Sequence, residues 1–382
     1  MKKSFVKIFA ALISASMLLA ACSSAPTNQS SNKTEDNKQQ TTQEESKIKV
    51  VTSMYPMYDF AKKVAGDKAD VENIIPAGTE AHGWEPSASD IAKLEGADVF
   101  IYNGAGMEMW VDDVLKSLSN KKLVAVETSK GIELLENHED DHDHDHDGKK
   151  EHDHDHDHDG KKEHDHDHDG KKDDKDSKET HKDDTHKAED KDHDHEDKDH
   201  DHEEHHHHGK YDPHVWLSIK NAKKQMESIK DALVKADEKN KAYYEENYEK
   251  YAKEFDALDA KYTQTLKPYA GKNIVVAHEA FGYLGKDYGI SQLGIEGVFE
   301  DSEPDPAKMK EVIEFVKENK VKVIFFETLT SDKVSKTIAS ETGATTDVLN
   351  PVEGLTKEEM DSGKDYLSIM EENLKALEKS FK

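Results

Sequence analysis

The sequence predicts an α/β protein of two lobes, each with a mainly parallel sheet, joined by a helical bridge. Three observations predict it. Short apolar runs alternate with helix-period segments, the pattern of βαβ units. The alternation occurs twice, over 47–135 with 211–217 and again over 270–382. Between the two, Leu217 to Leu266 runs for about 50 residues without Pro or Gly.

In the first lobe, KIKVVTS (Lys47–Ser53) is a strand, and Tyr55–Gly66 is a helix with Tyr58, Ala61 and Val64 on one face. Val71–Ile75 is a strand, Ser87–Leu94 a helix and ADVFIY (Ala97–Tyr102) a buried strand. Met107–Leu118 carries an apolar helical stripe and Leu123–Val126 closes the series. The bridge has apolar residues at helical spacing, from Ile219 through Leu233 and from Tyr244 through Tyr262. Asp237-Glu238-Lys239-Asn240 is where it could divide into two helices. In the second lobe, strands Asn273–Ala277, Ser291–Leu293, Val321–Phe326 and Asp347–Leu349 alternate with helices Phe281–Tyr288, Asp305–Asn319 and Asp332–Thr342. An amphipathic helix, Lys364–Phe381, ends the chain. Ligands of such sheets sit beyond the carboxyl ends of the strands, and the cleft between two lobes is the default site.

The net charge of −30 over 382 residues is unevenly placed. Residues 136–210 hold 32 Asp/Glu and 13 Lys, a net −19, and leave only −11 for the rest. Of 24 histidines, 21 lie between His138 and His208. There is no Arg. No basic stripe is available to meet phosphates, so nucleic acid is excluded as a partner and a cationic ligand such as a metal ion fits better.

The amino-terminal stretch reads as an export signal. Lys2, Lys3 and Lys7 precede an apolar run to Ala21 that is too short for a confident membrane span. Its end, Leu19-Ala20-Ala21-Cys22, resembles a lipobox, in which the cysteine is lipidated. Cys22 is the only cysteine, so neither an intramolecular disulfide nor a cysteine zinc cluster is available. The expected order is a signal peptide over 1–21 and a polar tether over 22–46. A first lobe over 47–217 follows, interrupted by the His/Asp-rich segment 136–210, then a bridge over 218–269 and a second lobe over 270–382. The tether composition cannot form a core.

Only His82, His214 and His278 lie outside the His-rich segment. Each sits where a strand ends or a helix begins, in GTEAHGWEPSASD, YDPHVWL and VVAHEAFGYL. Three imidazoles at element ends suit zinc, which takes three or four N/O ligands. Glu327, which ends the strand VIFFE, is placed to complete a His₃Glu set. Glu80 and Glu279 lie near ligands in sequence, as orienting groups or as plain loop carboxylates. Trp84 and Trp216 follow His82 and His214 by two residues, as site walls or as core.

The motifs AHGWEPSASD, DPHVWL, VVAHEAFGYL and VIFFETLTSDK resemble the zinc branch of the metal-binding solute-binding lipoproteins of bacterial ABC transporters, over essentially the whole chain. The resemblance implies two lobes joined by a long rigid helix, with the metal buried in the cleft between them. It further implies an extracytoplasmic monomer, held at the cell membrane by its lipid, that delivers Zn²⁺ to an ABC permease and is not an enzyme. Carried over by position, the ligands are His82, His214, His278 and Glu327, with Asp332 or water as alternatives to Glu327. His278 favours zinc over manganese, which prefers oxygen donors. The competing readings are a manganese-binding homologue, a metal-binding surface adhesin and a zinc hydrolase, though no HExxH motif is present.

The His-rich segment is built of near-repeats. These contain His142, His144 and His146, then His152, His154, His156 and His158, then His164, His166 and His168; a later run is His205, His206, His207 and His208. With almost no apolar residue it is expected to lack structure of its own. It reads as an accessory zinc collector with several weak, interchangeable sites.

Overall fold

The computed structural model describes residues 46–137, 209–299 and 304–382. The signal peptide, Cys22, nearly all of the tether and the histidines from His138 to His208 lie outside the described residues.

The first lobe is a four-stranded parallel sheet: β1 (Ile48–Thr52), β2 (Ala69–Asn73), β3 (Val99–Tyr102) and β4 (Val124–Glu127), in spatial order β2-β1-β3-β4. Its helices are α1 (Tyr55–Ala65), α2 (Ala88–Glu95) and α3 (Val111–Ser117). Ser87 starts α2 with a capping box shared with Asp90. The helix expected from Met107 begins only at Val111. Glu108 turns back to accept hydrogen bonds from Asn103 N, Gly104 N and Ser53 Oγ at 2.8, 2.9 and 2.5 Å, which holds 103–108 as a loop.

The bridge is two helices, α4 (Ile219–Ala236) and α5 (Lys241–Leu266), packed on one another. The break is made by Asp237, whose Oδ2 accepts from Asn240 Nδ2 and Tyr244 Oη at 2.6 and 2.7 Å. A side chain that satisfies the turn this well competes with helix continuation. At 26 residues, α5 is about 39 Å long.

The second lobe repeats the first: β5 (Asn273–His278), β6 (Ser291–Glu296), β7 (Val323–Phe326) and β8 (Thr345–Val348), parallel and in order β6-β5-β7-β8. Helices α6 (Gly282–Tyr288), α7 (Pro306–Asn319) and α8 (Lys333–Thr342) alternate with them. A short α9 (Lys357–Asp361), not apparent from the sequence, precedes α10 (Tyr366–Phe381). Pro306 and the Asp305 cap start α7, and Gly343, at φ +79°, stops α8 in the left-handed conformation that glycine permits.

Helix α10 does more than end the second lobe. Tyr366 stacks on Phe255 of α5 at 5.3 Å and meets Phe60 of α1 edge-on at 5.0 Å. Its hydroxyl donates to the Trp216 carbonyl at 2.6 Å. Beside this aromatic cluster, Lys63 of α1 pairs at 2.8 Å with both Asp59 and Asp365, the cap of α10. Burial pushes the Asp59 carboxyl above the usual carboxylate range despite Lys63. Burial also works against the Lys63 charge, but the two carboxylates outweigh it and raise the Lys63 pKa. The trio fastens the last helix to the first. Replacing Lys63 by Ala strands the buried Asp59, and the expected loss is about 3–5 kcal/mol in urea unfolding. An unchanged midpoint would show that the trio contributes nothing.

Candidate metal centre

Each histidine is delivered by a different kind of segment. His82 lies on the loop between β2 and α2. His214 precedes the one-turn 3₁₀ helix Val215–Leu217 that leads into α4, and His278 is the last residue of β5. The structure brings all three together. His214 Nε2 is 3.2 Å from His82 Nε2 and 3.1 Å from His278 Nε2.

The fourth member is Glu353, on the segment after β8. Its Oε1 stands 3.4, 3.0 and 3.3 Å from the Nε2 atoms of His82, His214 and His278. Among the described residues these four form the one His/Cys/Asp/Glu group with metal-binding spacing. The sequence expectation of Glu327 in this place is corrected by the structure. Glu327 Oε1 lies 2.6 Å from Nδ1 of His278, on the far side of the imidazole from the cluster. It follows β7 directly and so meets the back of the neighbouring strand's histidine, whereas the chain after β8 turns over the top. Asp332, the alternative, pairs with Lys336 at the start of α8 and takes no place in the group.

The surroundings fix which nitrogen faces inward. His214 Nδ1 stands 2.8 Å from Asp212 Oδ1, as His278 Nδ1 does from Glu327. An ionised carboxylate only accepts, so each Nδ1 carries the proton and each Nε2 presents a lone pair. Asp212 is held in turn: its Oδ1 also accepts from His214 N, and its carbonyl accepts from Tyr283 Oη at 2.9 Å. Asn103 Nδ2 donates to the Pro213 carbonyl at 2.9 Å. Glu80 accepts from the backbone N–H groups of Ala81 and His82, whereas Glu279 turns away to Gly294 N. Trp216 is fully buried, 5.3 Å from His214, with its indole N–H on the Pro351 carbonyl. Trp84 packs instead edge-on to Trp110.

Acceptor atoms this close repel unless a cation or a proton lies among them. A tetrahedral ion with ligands at about 2.0–2.1 Å sets them about 3.3–3.4 Å apart. The observed separations of 3.0–3.4 Å fit that figure. Glu353 Oε2 is buried without a hydrogen-bond partner, a further sign that the carboxylate is oriented for an ion. The site is closed: His82 is the most accessible member, its side chain 7% exposed, and Phe299 stands edge-on to it at 6.0 Å. Gly209, the first described residue after the His-rich segment, lies so near that a Cβ there would meet the Phe299 ring at 3.4 Å. The two ends of that segment are pinned side by side, through Asn137 N to Lys210 O and Asp212 N to Leu135 O, both 2.9 Å.

Burial opposes protonation of His214, but Asp212 and Glu353 outweigh it and raise the pKa above the usual histidine value. The sign follows. Without metal, His214 keeps a proton at pH values where a free imidazole has lost it, and a cation must displace that proton. Apparent metal affinity is therefore expected to fall as pH is lowered, roughly tenfold per unit once pH is below the raised value. Calorimetric titrations with Zn²⁺ across pH 6 to 8 check this, and a flat profile contradicts it.

The family model described as zinc-uptake complex component A, periplasmic, matches residues 50–380. A high-affinity zinc uptake system protein of Bacillus subtilis is 40% identical over 334 residues, 87% of this chain and 88% of that protein. A zinc-binding lipoprotein of Streptococcus pneumoniae, AdcA, is 36% identical over 88% of this chain, which spans only 56% of it. Among solved structures, the Zn(II)-bound domain of that protein aligns with a TM-score of 0.63 at 34% identity, covering 88% of this chain and 99% of that one. A laminin-binding protein of Streptococcus agalactiae, described as a bifunctional adhesin and metal transporter, aligns at 0.65 and 29% identity over 88% of this chain and all of that one.

Proposed function

The chain belongs to the zinc-uptake complex component A family of solute-binding proteins, and from that premise we propose that it captures Zn²⁺ outside the cytoplasm and delivers it to the permease of an ABC importer. The observation that carries this reading is the buried His82–His214–His278–Glu353 group. Three imidazoles and one carboxylate match the borderline character of zinc and disfavour manganese. Zinc is cargo here, not a resident cofactor. All four inward atoms belong to the protein, so no position is left for an activated water, and the hydrolase reading has no support. Asp212 and Glu327 orient His214 and His278 rather than bind the ion.

Release requires that the four atoms separate, and they come from both lobes, so docking on the permease has a direct route to the ion. The lipobox-like Leu19–Cys22 supports an anchor at the outer face of the cell membrane. The likeness to an adhesin that also transports metal leaves a surface-binding role as a second reading. It is separated from the first by whether zinc uptake or surface attachment fails when the gene is removed.

The His-rich segment serves, in this reading, as a collector. Its two ends pair with one another, and Gly209 at one of them lies against Phe299, which faces His82, so the segment is rooted near the site. Deleting 138–208 should leave one tight site and remove the weaker ones in calorimetry. Loss of the tight site would overturn the division of labour.

Substitution tests the ligand set directly. His82→Ala, His214→Ala, His278→Ala and Glu353→Gln should each abolish tight zinc binding in the loop-deleted protein. Glu327→Gln should weaken it by only about 10–100-fold, as loss of an orienting partner does. If Glu327→Gln is the more damaging of the two Glu changes, the assignment of Glu353 is wrong.

A further inference from the structure

We infer that Val352 is a positioning residue that holds Glu353 against the imidazoles at the cost of backbone strain, and that this strain is shed when the carboxylate withdraws to release the ion. The inference rests on Glu353 being a ligand, as argued above. Val352 has φ +62°, in the left-handed region. That region is sparsely used by any residue with a side chain and is an outlier for a β-branched one. The local sequence is Asn350-Pro351-Val352-Glu353-Gly354. A turn with Pro in second place and positive φ in third normally puts Gly or Asn third. Here Val occupies that place, although Gly354 lies two residues on.

Strain of this kind persists only where the surroundings over-determine it, and they do. Asn350 Oδ1 accepts from Val352 N at 2.7 Å. Asn373 of α10 holds both backbone groups of Asn350, at 2.9 and 2.7 Å. Trp216 Nε1 donates to the Pro351 carbonyl at 2.7 Å. The Val352 side chain is fully buried. The chain is thus fixed up to Val352. Rotation of Val352 out of the left-handed region re-aims everything that follows, Glu353 first.

Glu353 has somewhere to go. It borders a cavity of about 260 Å³ whose lining includes Tyr55, Tyr58, Asn73 and Thr79, and a second of about 10 Å³ shared with Glu80 and Glu327. Its Oε2 is buried and unpartnered in the present position. Gly354 lies against the first lobe, where a Cβ would stand 3.2 Å from the Thr79 carbonyl, and Leu355 O accepts from Gly78 N at 2.9 Å. A shift of the first lobe is therefore felt at the residue next to Glu353. The strained peptide, the empty space and the lobe contact lie on consecutive residues.

The test is the rate of Zn²⁺ release from the full chain, loaded with one equivalent, into excess fluorescent chelator. Val352→Gly and Val352→Asn, which adopt positive φ readily, should slow the slow phase of release roughly five- to tenfold. Val352→Thr keeps the β-branch and should stay within about twofold of wild type. Val352→Ala should fall between Thr and Gly, and it decides the matter alone if the Gly and Asn variants do not fold. Loss of packing alone would speed release, so slower release from the Gly and Asn variants is an outcome that a purely structural role of Val352 would not cause. Release from the Gly, Asn and Ala variants as fast as from wild type, or faster, overturns the inference. If Glu353→Gln alone leaves zinc release unchanged, the ligand assignment itself fails, and that failure is separately visible.

Discussion

Four atoms that carry lone pairs, taken from both lobes, are held about 3 Å apart in a buried site. Left to themselves they would spread. The remainder of the structure keeps them from doing so. Asp212 and Glu327 take the outward nitrogens of His214 and His278, Asn103 and Tyr283 hold the backbone that carries His214, and Trp216 ties the His214 segment to Pro351 of the other lobe. Part of what the fold gains elsewhere is set against this repulsion, and a cation restores it. Folding and ion capture are thereby the same account seen from two sides.

The aromatic cluster of Phe60, Phe255 and Tyr366 and the Lys63 trio explain why the lobes stay in register over the distance spanned by α5. Helix α10 begins on the second lobe and closes against α1 of the first. Its Asn373 also fixes Asn350, at the root of the turn that carries Glu353. The clamp that joins the lobes and the clamp that aims Glu353 are therefore one helix.

Much of this was legible in the chain. Both alternating series, the capped helices and the Asp237–Asn240 break follow from local patterns with period 2 or 3.6 and from turn chemistry. The three histidines stood out because the His-rich segment holds all the others. Glu353 did not stand out. It is one of 83 acidic residues and follows its strand only after an Asn-Pro turn, whereas Glu327 ends its strand as His278 does. The signal was that turn, since Asn-Pro at the carboxyl end of the last strand reverses the chain over the sheet, while a residue directly at a strand end reaches only its neighbour. The packing of α10 on α1 was not legible, because an amphipathic stripe shows that a helix is buried and not what buries it.

The short ladder that joins Leu135–Asn137 to Lys210–Asp212 has an evolutionary consequence. It joins the two ends of the insert directly to one another. For a chain fastened in this way, each doubling of the intervening length adds only about 0.6 kcal/mol of closure entropy. The number of histidines carried there is then nearly uncoupled from the stability of the lobes. Selection can lengthen, shorten or re-compose the insert while the centre beside it stays as it is.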